Sequence, residues 1–166
     1  MAIADRVTVM RDSRYVESPR VIANDGAADD RFGQAVAMDG NTLVIGAKYD
    51  DIGQNTDQGS VYVFVRNGAN WAFQQKLTAP NGAAVDLFGA SVAVTGDLLV
   101  AGAPGYDSGQ VFDIGAAYLF KRSGTTWTFQ QKLIAAALES DEQDTFGDSV
   151  AIHGRTIAVS ATGADA

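Results

Sequence analysis

The chain has 166 residues with 18 Gly, no Cys, one His, and 20 Asp plus Glu against 12 Lys plus Arg, a formal net charge of -8. At 46% hydrophobic it is rich enough in apolar residues to fold into an ordered domain. Lack of Cys excludes disulfides and thiolate chemistry, the single His gives no basis for a His-rich metal centre or a Ser/His/Asp triad, and the acidic balance argues against nucleic acid, whose phosphates need clustered cations.

Self-similarity sets the frame in which the elements are read. WAFQQKL (71–77) returns as WTFQQKL (127–133), an offset of 56 that also carries Phe32-Gly33 onto Phe88-Gly89; a third pair stands at Phe146-Gly147.

In chain order, the opening MAIADR has neither a basic n-region nor an apolar h-region, so no signal peptide is expected in the sequence as given. The offset places Val7 and Val9 on Val63 and Val65 and Tyr15 on Trp71. Residues 1–23 therefore read as strands C and D of a diverged repeat, with Pro19 in an edge strand that can spare its N–H. Residues 24–79 form a complete unit, in which Asp39-Gly40-Asn41 turns strand A into B and Asn67-Gly68 turns C into D. In 80–135 the runs are A from Phe88 to Thr95, B from Leu98 to Ala103, C from Gly115 to Lys121 and D from Trp127 to Ala135. Along strand D, alternation predicts Trp71, Phe73, Gln75 and Leu77 on one face and Ala72, Gln74, Lys76 and Thr78 on the other. Residues 136–166 add A from Phe146 to His153 and B from Thr156 to Ala161. No apolar run reaches the about 20 residues of a membrane helix.

Four short antiparallel strands per unit predict an all-β fold, a β-propeller of four-stranded blades. The 166 residues form one propeller segment with three blade equivalents in the permuted order CD, ABCD, ABCD, AB. Three blades cannot surround an axis, and unpaired half-blades are templates for association. The expectation is that strands A and B of one chain complete C and D of another, so that a homodimer closes a six-bladed ring. The competing reading is a piece of a longer propeller.

Phe-Gly opening strand A and Gly102-Ala103-Pro104 closing strand B resemble the FG-GAP repeat of integrin α-chain propellers and of bacterial surface and secreted proteins. The second motif reads Gly46-Ala47-Lys48 and Ser160-Ala161-Thr162 in the other copies. The resemblance implies a non-catalytic adhesion or ligand-binding module at an extracellular or cell-surface location. It also implies Ca²⁺ in a DxDxDG-like loop between strands A and B, but here that connection is a minimal turn.

The loops joining D to A and B to C lie on one face of a propeller and carry 14 of the 20 acids. Such a face attracts cations or a basic protein, and a glycan is a further candidate ligand. One Asp precedes Phe-Gly by two residues in every copy (Asp30, Asp86, Asp144), and another recurs in the B to C loop (Asp51, Asp107, Asp165), followed in two copies by Asp57 and Asp113. Two readings compete. Repetition in every unit favours carboxylates that cap backbone N–H groups in tight turns. The other reading is Ca²⁺ binding through Asp50, Asp51, Asn55 and Asp57, with Asp107 and Asp113 in the next copy, since hard cations take carboxylate oxygens. His153 reads as a solvated turn residue, and Trp71 and Trp127 as packing between blades. A structural self-assembling fragment without ligand is the main alternative; a propeller glycosidase using adjacent carboxylates such as Asp50 and Asp51 is the weakest, because no acid/base constellation stands out.

Overall fold

A computed structural model describes residues 21–109, 111–135 and 144–163. The described residues are all-β. Strands β1 (Ala35–Asp39), β2 (Thr42–Ala47), β3 (Ser60–Asn67) and β4 (Asn70–Leu77) form one antiparallel sheet in sequential order. Strands β5 (Ser91–Thr95), β6 (Leu98–Ala103), β7 (Ala116–Ser123) and β8 (Thr126–Leu133) form a second with the same order. Strands β9 (Val150–His153) and β10 (Thr156–Val159) form a third, two-stranded sheet. These are the blades of a propeller, stacked with β1 against β5 and β5 against β9. Residues 1–20 of the expected strands C and D, and Asp165, lie outside the described residues. No described helix is long and apolar enough to cross a membrane.

Both faces of the inner strands β2 and β6 are buried, which is why β2 reads as a nearly continuous apolar run, TLVIGA, rather than an alternating one. Leu43, Ile45, Tyr62 and Phe64 fill one side of the first sheet with Val21 and Phe32. Val44, Val61, Val63 and Leu77 fill the other, and there they meet Leu99, Ala101, Tyr118, Phe120 and Trp127 of the second sheet. Trp127 is only 2% exposed in this joint, where full burial of so large a side chain stabilises by about 2–3 kcal/mol.

The Phe-Gly pairs differ from the expectation, for they precede strand A rather than open it. Phe88 packs its ring edge-on against Tyr118 of its own sheet, with centroids 5.4 Å apart. Its backbone N–H instead donates to Gln58 O of the preceding sheet at 2.8 Å, as Phe146 N–H does to Ile114 O at 3.0 Å. Phe88-Gly89 is thus a staple, with its side chain in one blade and its main chain on the previous one, and Phe146 repeats the main-chain half. Such close approach of two backbones needs glycine. A Cβ on Gly59 would stand 2.6 Å from Phe88 N, and Gly59 itself has φ of 85°.

The second difference lies in the outer strand. In β4 the ladder slips between Val63, which pairs with Gln75, and Phe64, which pairs with Phe73, so that Gln74 bulges. The same slip separates Leu119 and Phe120, leaving Gln130 as the extra residue in β8. Alternation therefore reverses within the strand. Trp71 and Phe73 share a face with Lys76, while Gln75 and Leu77 turn to the opposite one, correcting the single face expected for Trp71, Phe73, Gln75 and Leu77.

Reversal puts Gln75 against the next blade. Its amide donates to Trp127 O at 2.9 Å and accepts from Trp127 N–H at 2.8 Å, while Gln74 Oε1 accepts the indole N–H at 2.9 Å. Gln74-Gln75 is a clamp on the tryptophan of the following unit.

Candidate functional site

The bulge also aims Lys76 at the loops. Its Nζ lies 2.7 Å from Asp25 Oδ2 and 2.7 Å from Asp50 Oδ2, and 5.1 Å from the Tyr62 ring centroid. Tyr62 Oη stands 2.9 Å from Asp25 Oδ1 and 3.0 Å from Asp50 Oδ2; Ser60 Oγ donates to Asp50 as well. Burial opposes charge on Asp25, but hydrogen bonds from Lys76 and Tyr62 outweigh it and hold this carboxyl below its ordinary range. Burial likewise pulls against the Lys76 ammonium, and its bonds to Asp25, Asp50 and Tyr62 carry the net shift upward. Lys76 therefore stays charged and two of the neighbouring carboxylates are committed to it.

Above this network the D to A and B to C loops enclose a cleft of about 540 Å³ lined by Asp25, Asp29, Asp30, Asp50, Asp51 and Asp57, together with Ala27, Ala28, Tyr49 and Thr56. Six carboxylates face one ammonium. In the second unit the register replaces Asp25, Asp50 and Ser60 by Asn81, Tyr106 and Ala116. Lys132 there donates to Tyr106 Oη and stands 3.9 Å over the Tyr106 ring. The acidic cleft accordingly belongs to the first blade.

The Asp that recurs two residues before Phe-Gly sits beneath these loops. Asp30 Oδ2 accepts Ala27 N–H at 2.6 Å and Asp86 Oδ2 accepts Ala83 N–H at 2.8 Å. Its main-chain oxygen accepts from the B to C loop in all three units: from Tyr49 at 3.3 Å, from Gly105 at 3.2 Å and, for Asp144, from Gly163 at 3.3 Å. Left-handed neighbours bend the chain around it: Asp29 and Arg31 about Asp30, Val85 and Leu87 about Asp86, and Thr145 after Asp144. A positive φ is costly for branched Val85 and Thr145, and the bonds made there offset it. Val85 N–H donates to Thr56 O and Thr145 N–H to Asp113 O, each at 2.9 Å across a joint.

Asp30, Asp50, Asp86 and Asp144, counted from the sequence among the acids of the loop face, are all buried. The face carries less exposed charge than the count of acids implies, because the innermost carboxylates are consumed in holding the loops. Desolvation raises the pKa of Asp30 and Asp86 above the ordinary range, partly opposed by the N–H groups of Ala27 and Ala83. Asp86 lies outside the cleft, so the shift is common to the first two units and is not particular to the cleft.

The residues considered for Ca²⁺ are placed apart in their bonding. Asp50 is paired with Lys76, Asp51 Oδ1 accepts Asp57 N–H at 2.9 Å and Asp107 Oδ1 accepts Asp113 N–H at 2.8 Å. Asn55 donates to Gln58 Oε1 and to Gly82 O. These donors do not form a cage for a hard cation, and among the described residues no three His, Cys, Asp or Glu side chains are grouped to hold a metal. His153 is exposed at the end of β9. Lys76, Tyr62 and Ser60 escaped the sequence reading. The substitution of Asn81, Tyr106 and Ala116 for Asp25, Asp50 and Ser60 between otherwise matching units was the signal that could have found them.

No curated protein matches the chain in sequence. The family model of the FG-GAP repeat matches residues 15–64, 71–120 and 127–166. The matches begin at Tyr15, Trp71 and Trp127, at the 56-residue spacing, and the second and third start in the outer strands β4 and β8 of one blade ahead of the inner strands of the next. Covering most of the sequence, these three matches show that the chain belongs to the FG-GAP repeat family.

Proposed function

We propose that the chain is a non-catalytic binding module whose ligand surface is the acidic cleft of the first blade, and whose ligand is a basic segment of a protein. The observation that carries this reading is the concentration of six Asp around one open cleft, two of which pair with Lys76. A guanidinium or ammonium entering there meets a field of opposite sign in loops fixed by the joint, so little ordering is required of the protein. Asp29 and Asp57 are suited to the test, since both have positive φ and Asn accepts that conformation. Titration of an Arg-rich peptide is expected to give binding that weakens with salt, and the Asp29→Asn/Asp57→Asn double variant at least a fivefold loss with an unchanged melting temperature. Equal affinity of both proteins removes the assignment.

A second reading, ring closure by two copies, has one observation in its favour. Val36 and Met38 of β1 are 53% and 56% exposed, whereas their counterparts Val92 and Val94 of β5 pack into the joint with the preceding blade. Sedimentation equilibrium tests it: closure predicts a mass twice 17.4 kDa, and a monomer at high micromolar concentration contradicts it.

A further inference from the structure

Both joints rest on a strand-B glycine over which the next unit's Phe-Gly carbonyl lies. A Cβ on Gly46 would stand 3.0 Å from the Gly89 carbonyl carbon, one on Gly102 2.8 Å from that of Gly147, and each nearer still to the oxygen. Neither neighbour is a movable side-chain tip, so the two backbones must part.

Register carries this position onto Ser160. Gly33 N–H donates to Gly46 O, Gly89 N–H to Gly102 O, and Gly147 N–H to Ser160 O, at 3.0, 2.8 and 2.9 Å. Ser160 N–H donates in turn to Ser149 O at 2.9 Å, matching the pairing of Gly102 with Ser91 and of Gly46 with Ala35. The serine hydroxyl turns back on its own sheet and accepts Ser149 N–H at 3.0 Å.

We infer that Ser160 closes the glycine seat of the third unit, so that this face takes no further Phe-Gly staple in the register of the two internal joints. A second copy of the chain would bring Phe32-Gly33 to this seat under the ring-closing reading above and would meet the Ser160 Cβ there, so this inference and that reading exclude one another, and the wild-type mass decides between them. The sequence register adds an independent sign. Ser18-Pro19 stand where the other copies have Gln74-Gln75 and Gln130-Gln131, so the closing joint would also lack the clamp on Trp71.

Two reciprocal variants of the full chain test this. Ser160→Gly opens the seat and is expected to strengthen self-association at least tenfold by sedimentation velocity. Gly102→Ser installs the third unit's residue in the second, and is expected to raise the hydrogen-exchange rate of β9 and β10 amides at least a hundredfold while β1 to β3 keep theirs. An unchanged association for Ser160→Gly overturns the inference. So does wild-type exchange of β9 and β10 in a folded Gly102→Ser protein, or a wild-type dimer that Phe32→Ala dissolves. If Gly102→Ser fails to fold, the Ser160→Gly arm and the wild-type mass decide alone.

Discussion

Lys76 and Lys132 occupy the same register position and differ in what they hold. Lys76 separates the carboxylates of Asp25 and Asp50, whereas Lys132 meets the neutral Tyr106. Removing one partner of a buried ion pair leaves an uncompensated charge. Because Lys76 is partly open to solvent, we expect Lys76→Met to cost about 2 kcal/mol in urea unfolding, discounted from the fully buried case. Lys132→Met should cost less than about 1 kcal/mol. Equal costs would mean that the network of the first blade is not what distinguishes the two units.

Asp86 gives a pH signature. Desolvation raises its pKa above the ordinary 3.8 in spite of the Ala83 N–H. The native chain therefore holds this proton more tightly than the unfolded one, and the stability so gained is present below pH 3.8 and is lost as pH rises through the higher native value. Asp86→Asn lacks this titration. The melting temperature of the variant relative to wild type is expected to be more favourable at pH 7 than at pH 3.5, and a difference independent of pH would refute the assigned burial. From sequence, recurrence of Asp30, Asp86 and Asp144 showed that the position matters to every blade. Their burial was not legible, because it depends on left-handed residues such as Val85 that no propensity would select.

At the scale of the element, the outer strand teaches most. Its bounds were readable from the turn residues and from WxFQQKL, yet strict alternation gave the wrong faces beyond Phe73. A bulge at Gln74 leaves the composition of the strand unchanged, and only cross-strand pairing reveals it. Gln75 then reaches both main-chain groups of Trp127. Losing two such bonds should cost about 1–2 kcal/mol, so Gln75→Ala is expected to destabilise by that amount. Gln131→Ala, at an exposed position, should stay within about 0.5 kcal/mol. Urea midpoints of the two variants check this contrast, and a reversed order would contradict the clamp.

At the scale of the molecule, the period of 56 was enough to read the sheets and their order, because stacked repeats cannot bury either face alone, while the Phe-Gly pairs and Gly102-Ala103-Pro104 carried the resemblance to the family. Strand B matched its expected bounds in the second unit, Leu98–Ala103. The Phe-Gly pair was placed in the strand because its motif adjoins it, whereas its glycine serves a contact between blades that no single unit contains. The acidic face was legible as a count of charges, and its division into buried and open carboxylates was not. Among the described residues, Asp25, Asp29, Asp51 and Asp57 stay open to solvent around the cleft of the first blade. Attraction of this kind falls steeply with ionic strength, since the Debye length shrinks from about 10 Å at 0.1 M to about 3 Å at 1 M salt.

The most direct measurement of the central claim is the location of a bound basic peptide by amide chemical-shift mapping at low salt. The account predicts that perturbed amides cluster at residues 25–30 and 49–57 and that 1 M salt abolishes them. Perturbation confined to the A to B turns at Asp39-Gly40 and Gly96-Asp97, or none at all at millimolar peptide, would contradict it.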